Sequence, residues 1–320
     1  MQIPHSFESV HERISHAGSG HWEHLVFPRS LAMEEGRLRV PYAGYDTRSS
    51  LTPHARRQLC RFLDIRMSDF ESASQREQDA LFAASIERLL FPSHRMLALR
   101  GRPGIVRALV DEHCAPFSHV ALLRSLWQWR RWFQVQWFSF EETAMHLRLI
   151  APETIREVLP DDHLIAGVHI ASSEVLARPL LVEPLVFRLK CSNGLIGFGT
   201  RESTLCIFPR WSDGDIEGIF VKAVDSALHQ AGMAMEQFGA AVTTVVESPR
   251  AVLGHVASTP RLPRNLIPLT EAALAQEAPQ TQRTLFGLVN AMTHVAQSYS
   301  PETRLRVEAT AGRHLSAYGV

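Results

Sequence analysis

The chain predicts an α+β fold, an antiparallel sheet of several strands packed by helices, with helical N-terminal and C-terminal segments. Three observations predict it. Between Met96 and Phe208 apolar and polar residues alternate with period two, the pattern of strands covered on one face only. On either side of that stretch, apolar residues recur at helical spacing. Asn193-Gly194, lying between two apolar runs, is the short-range signal of a hairpin, because both residues tolerate positive φ.

Residues 1–50 are loop-rich, with "HAGSGHWEH" and "VPYAGYDTRSS" around one short strand, and read as an N-terminal arm or edge. An α+β core is expected over residues 51–248. It opens with two helices, the first started by Thr52 as cap and Pro53 in the first turn, the second ending near Leu90. Strands follow at "MLALRG" and "IVRALVDEHC", then a short helix at "PFSHVALLRSL". "WQWRRWFQVQWF" reads as a strand from Trp127 to Phe138, and Met145 to Ile150 as another, with Met145, Leu147 and Leu149 opposite His146, Arg148 and Ile150. "HLIAGVHIASSEV" is a third. In the fourth, Leu185, Phe187, Leu189 and Cys191 face away from Val186, Arg188 and Lys190, and Ser192-Asn193-Gly194 is expected to form the corner that follows. Ile216 to Phe238 forms one apolar helical stripe, with Asp213 or Asp215 as its cap. Residues 249–269, with four prolines and three arginines between Pro249 and Pro268, read as an extended linker; residues 270–320 read as a C-terminal helical segment whose last helix opens at Ser300-Pro301-Glu302.

At 320 residues and 45% hydrophobic content, the chain can bury a substantial core. No window reaches the run of roughly 18 apolar residues that a membrane span needs, so a soluble, cytoplasmic protein is expected. The four cysteines form no C-x-x-C pair and signal neither zinc nor a disulfide framework. Net charge is zero, which argues against generalised basicity, although positive charge can still gather on one face. Lys190 and Lys222 are the only lysines, so 31 of the 33 basic residues are arginines, which a GC-rich genome also produces.

No G-x-S-x-G elbow, motif-level cysteine–histidine pair or phosphate-cradling glycine loop occurs, so no cofactor and no enzymatic chemistry is signalled. His11, His16, His21 and His24 are spaced as a solvated surface, with no H-E-x-x-H. Asp161, Asp162 and His163, joined by His169 or Glu174, are weak candidates for a divalent ion, and a polar turn explains them more simply. The polar side of the sheet carries more weight. Arg130, Arg148, Arg188 and Lys190 would neutralise phosphates there and Trp132 would stack on an unpaired base, provided the strands align and the face is open.

"GVHIASSEVLARPLLVEPLVFRLKCSNGLI" resembles the hallmark block of the phage/plasmid-like proteins that share domain of unknown function 932: a Ser-Glu-Val strand, an apolar strand and a Cys-Ser/Thr-Asn-Gly turn. "LTPHARRQLCRFLDI", "VRALVDEHCAPFSHVALLRSL" and "LFGLVNAMTHVAQ" extend the resemblance over residues 50 to 300. Ser172 departs from the asparagine usual before Ser-Glu. The resemblance implies carriage on mobile elements and a setting of DNA maintenance or recombination, with no established chemistry. The leading expectation is therefore a non-enzymatic mobile-element accessory that binds single-stranded DNA in recombination, annealing or maintenance. The alternatives are a metal-dependent enzyme on nucleic acid or nucleotides, using Asp161, Asp162, His169 and Glu174, and an interaction protein whose tail helices form a homo-oligomer.

Overall fold

Helix starts follow local chemistry in the computed structural model, which describes residues 6–42, 45–89, 96–189, 193–196, 205–257 and 262–317. Ser6 caps α1 (Phe7–Gly18) by accepting from the Ser9 N–H. There follow β1 (Trp22–Val26), β2 (Ala32–Glu34), β3 (Arg37–Tyr42) and β4 (Tyr45–Leu51). Then α2 (Pro53–Phe62) opens at Thr52 and Pro53 as the sequence predicts, and is succeeded by α3 (Met67–Ser72) and α4 (Gln75–Leu89). Next come β5 (Leu97–Arg102), β6 (Ile105–Asp111), α5 (His119–Leu126), β7 (Gln134–Phe140), β8 (Met145–Ile150) and β9 (Arg156–Leu159). The long strands β10 (Asp162–Ser172) and β11 (Leu180–Arg188) precede β12 (Asn193–Ile196) and β13 (Leu205–Ile207). Helices close the chain: α6 (Ile216–Ala240), α7 (Pro249–Ala257), α8 (Leu266–Leu274), α9 (Leu285–Ala296) and α10 (Pro301–Ala317).

The strands form two sheets, mostly antiparallel, with helices at both ends of the chain, so the α+β class holds. The first sheet runs β1-β5-β6-β4-β3-β2, with β4 parallel to β6. Residues 1–50, expected as an arm, thus supply nearly all of four of its six strands, and Leu38 and Val40, with Leu51 at the end of β4, pack with Leu59, Phe70 and Phe82 of α2 to α4. The second sheet runs β12-β11-β10-β8-β7, with β9 and β13 attached.

In β8, β10 and β11 of the second sheet the alternation is obeyed. Met145, Leu147 and Leu149 of β8 share a core with Val168 and Ile170 of β10, Leu180 and Val182 of β11, and Phe220 and Val224 of α6. Asp215 caps α6 through the Gly218 N–H. The proline-rich segment is not extended throughout: Pro249–Ala257 is helical, and Leu253 and Val256 are buried against α6 and α9. An opening proline fits the first turn of a helix, and two apolar residues three apart give that helix a face to bury.

Two further expectations are corrected. Trp127–Trp129 is a 3₁₀ turn continuing from α5, and the strand begins only at Gln134. A register shift between Val135 and Trp137 then breaks strict alternation in β7. The β11–β12 hairpin exists, but Arg188 pairs with Asn193 and Phe187 with Gly194, so this Asn-Gly opens the returning strand and does not form the corner. Ser192 and Lys190 lie outside the described residues.

Candidate functional site

The polar face of the second sheet is where the predicted site residues were to converge, and α10 covers it. Ile150, Ile165, Leu185 and Phe187 form an apolar patch on that face, met by Leu305 of α10. Arg148 is completely buried beneath the same helix, its Nη1 donating to Glu308 Oε1 at 3.2 Å and its Nη2 to Glu308 Oε2. Glu308, equally buried, also accepts from Arg304 Nε at 2.9 Å. Burial pulls the Arg148 guanidinium below its ordinary value and Glu308 opposes that shift. Arg188 does not share this face: in register with Leu164 and two residues on from Val186, it projects to the opposite side of the sheet, over the Phe286 ring of α9. It is likewise buried there, its Nε donating to Asp162 Oδ1 at 2.8 Å and its Nη1 to Glu277 Oε1 at 3.1 Å. Burial lowers its pKa, but the two carboxylates more than reverse this and hold it above the ordinary arginine value. Neither arginine is available to a phosphate. Arg148 is an internal charge neutralised by Glu308 of α10, and Arg188 one neutralised by Asp162 of β10 and by Glu277 in the turn after α8.

Beside Arg148 the sheet face carries a directed hydrogen-bond relay. Arg178, in the β10–β11 connection, donates from Nη1 to His146 Nε2 at 2.7 Å. An arginine cannot accept, so the His146 proton must sit on Nδ1, which donates to His169 Nε2 at 3.2 Å. The His169 proton is thereby placed on Nδ1, which donates to Glu183 Oε2 at 3.2 Å. The two imidazole planes lie within 6° of each other. Burial, then the His169 and Arg178 charges, pushes His146 down to about 2; burial and Arg148 take His169 well below the usual imidazole value. Both rings are neutral at pH 7. Glu183 moves the other way, burial raising it to about 7 against the pull of Arg148, Arg313 and Arg178. A cleft of about 300 Å³ opens where Arg178, His169 and Glu183 face Glu302, Leu305 and Arg306 of α10.

The weak metal candidates are separated by the fold. Asp161 stands exposed in the turn before β10 with φ of 60°, and Asp162 is engaged by Arg188. Asp162 and His169 are seven residues apart on one strand, roughly 20 Å at about 3.3 Å per residue. Among the described residues, no group of three or more His, Cys, Asp or Glu side chains could hold a metal ion.

Glu174 instead fastens the two sheets together. Its Oε1 accepts from the His119 N–H at 2.9 Å, and its Oε2 from Arg107 Nη1 at 3.1 Å, with His21 Nδ1 at 3.3 Å. Burial alone would raise this carboxyl, but the His21 hydrogen bond, His119 and Arg107 outweigh it and hold it far below the usual range. The neighbouring backbone takes part too: the Glu174 carbonyl accepts from Arg100 Nη1 at 2.8 Å, and the Val175 carbonyl from His54 Nε2 at 3.0 Å. Ser173 Oγ donates to the Thr143 carbonyl at 2.6 Å. The Ser-Glu-Val block thus joins β10 to β5, β6 and α2.

Among the described residues, Arg130 and Trp132 are the two predicted contacts left at the surface. Trp132 is 56% exposed. Arg130 lies over the Trp127 ring, 4.8 Å from its centroid, and donates to the Trp127 carbonyl at 3.0 Å. Arg124 and Arg131 are exposed beside them, and His11 of α1 packs on Trp127 at 5.2 Å.

His146, Arg178, Glu183 and Glu308 belong to the candidate site on the sheet face that α10 covers, and sequence reasoning does not select them. Alternation places His146 beside Arg148, but no local pattern joins Glu308 to a strand 160 residues earlier. No helix among the described residues is long and apolar enough to cross a membrane. No protein-family model, curated protein or solved structure matches this chain.

Proposed function

We propose that the protein binds single-stranded nucleic acid at the corner formed by residues 124–132, serving as a mobile-element accessory in recombination, annealing or maintenance. The observation that carries the reading is the exposed Trp132 flanked by Arg124, Arg130 and Arg131 within nine residues. An open indole stacks on any unpaired base, worth about 1–3 kcal/mol, and adjacent guanidinium groups neutralise the phosphates on either side. The stack of Arg130 on Trp127 orders the corner before a ligand arrives. The setting comes from the family resemblance; the choice of corner over sheet face comes from the burial of Arg148 and Arg188.

The test is anisotropy of a fluorescein-labelled thymidine 20-mer at 50 and 200 mM salt. Three phosphate contacts on a single strand give a log–log slope near −2, so affinity falls about 20-fold between the two conditions. Trp132→Ala weakens binding by about 5- to 150-fold, the equivalent of one stacked base. Binding that is absent at 50 mM salt, or indifferent to Trp132→Ala and Arg131→Ala, refutes the proposal.

A further inference from the structure

We propose a second, separate ligand site: the cleft between the second sheet and α10 binds a small organic monocarboxylate with an apolar body, through Arg178, and takes up one proton on Glu183 as it does so. Among the described residues the fully buried arginines Arg100, Arg107, Arg148 and Arg188 each hold a carboxylate. Arg178 is half-buried and has no carboxylate within 4.0 Å among those residues; its hydrogen bonds go to His146, and it lines the cleft. A partly desolvated guanidinium whose hydrogen bonds go to a neutral imidazole, with the Glu302, Glu141 and Glu183 carboxylates acting on it only from a distance, is an anion site that a directly bound counter-ion would complete.

The class of anion follows from the rest of the wall. Leu181 on the sheet wall and Leu305 and Ala309 on the α10 wall give apolar lining against which a compact hydrocarbon body would lose its water. Arg306 is paired with Glu302, so the rim adds little net charge, and Glu183 stands on the sheet side. Two carboxylates at the wall disfavour a dianion such as phosphate and leave room for one negative charge, provided Glu183 is neutral when that charge is present. The volume, about 300 Å³, suits a ligand of roughly ten heavy atoms.

The relay supplies the coupling. His169 gives its Nδ1 proton to Glu183 Oε2, and the direction of that bond is fixed two residues away by Arg178. Oε2 therefore stays an acceptor, and the proton taken from solvent goes to Oε1. The charged groups facing this carboxyl are Arg148 from β8, Arg178 from the connection, and Arg313 from α10, with Glu302 and Glu308 on the same helix farther round. Burial raises Glu183 to titrate near neutrality against the pull of these arginines, and an arriving carboxylate tips it to the neutral form.

Benzoate serves as the probe, with benzyl alcohol as its uncharged counterpart, both titrated by calorimetry against the full chain between pH 6 and 8. Binding of benzoate is expected to be about ten-fold weaker at pH 8 than at pH 6, with an apparent heat that changes with the ionisation heat of the buffer. Glu183→Gln retains binding and loses the pH dependence. Arg178→Gln abolishes binding while keeping the wild-type circular dichroism spectrum, and Arg178→Lys, which keeps the charge, restores part of it. The proposal is overturned if benzoate fails to saturate at pH 6, if benzyl alcohol binds equally well, or if affinity in the wild type is flat with pH. Trp132→Ala leaves benzoate binding intact, so this site and the nucleic-acid corner stand or fall separately.

Discussion

The Arg148–Glu308 pair gives the most direct test of how α10 seals the sheet. Both side chains are wholly excluded from solvent and joined by two hydrogen bonds, and Glu308 also accepts from Arg304. Arg148→Met alone leaves Glu308 short of its partner, and Glu308→Leu alone leaves the Arg148 guanidinium buried without a counter-charge, which costs about 3–5 kcal/mol for a pair of this kind. The second stranded partner, Arg304, places the expected loss toward the upper end; Arg304 is only partly buried and can turn to water. Arg148→Met combined with Glu308→Leu removes both charges and fills the same space with apolar atoms, so the double variant is expected within about 2 kcal/mol of wild type. The cycle therefore carries a coupling of at least about 2 kcal/mol. Urea unfolding followed by far-ultraviolet circular dichroism measures all four proteins. Single variants that lose less than about 1 kcal/mol, or a double variant whose loss equals the sum of the singles, would show that the helix does not close over the strand face.

Three other outcomes follow from buried groups. Glu174→Gln should destabilise by about 2–4 kcal/mol at pH 7, because three partners lose their acceptor charge. Since this carboxyl is depressed in the folded state, the stabilisation is present above its ordinary value of 4.5 and shrinks as pH falls, so the variant and wild-type urea midpoints should converge toward pH 3. Glu183 has the opposite sign. Its folded pKa of about 7 means that stability is whole below 4.5 and is lost as pH rises to about 7, and Glu183→Gln should gain on wild type by about 3 kcal/mol between pH 4 and pH 8 in the same assay. Gly167 sits where β10 passes β8, and a Cβ there would lie 2.2 Å from the Leu149 carbonyl oxygen. Backbone cannot step aside as a side chain does, so Gly167→Ala is expected to lower the thermal midpoint measurably and to cost about 2 kcal/mol or more.

Local signals carried much of this protein's architecture. Thr52-Pro53 and Asp215 start the helices they were expected to start, and the alternation through Met145–Ile150 separates the buried apolar side from the polar one. These features need only near neighbours: a cap is satisfied within three residues, and side-chain direction on a strand has a period of two. The run from Trp127 to Phe138 misleads because an alternating pattern can also be spelled by a turn followed by a shorter strand, and nothing nearby distinguishes the two. Asn193-Gly194 misleads by position, since the pairing register of β11 with β12 sets where the corner lies.

The tertiary structure alone decided what the polar face meets. Arg148 and His169 on one side of the sheet, and Arg188 on the other, keep their places in the alternation whether water, a polynucleotide or a packed helix lies against them. Their partners Glu308 and Glu277 come from 160 and 89 residues farther along, and Glu183 meets His169 across a strand pair. The physical reason is that periodicity records which residues share a side, whereas the fate of a charge depends on which opposite charge the fold delivers to it.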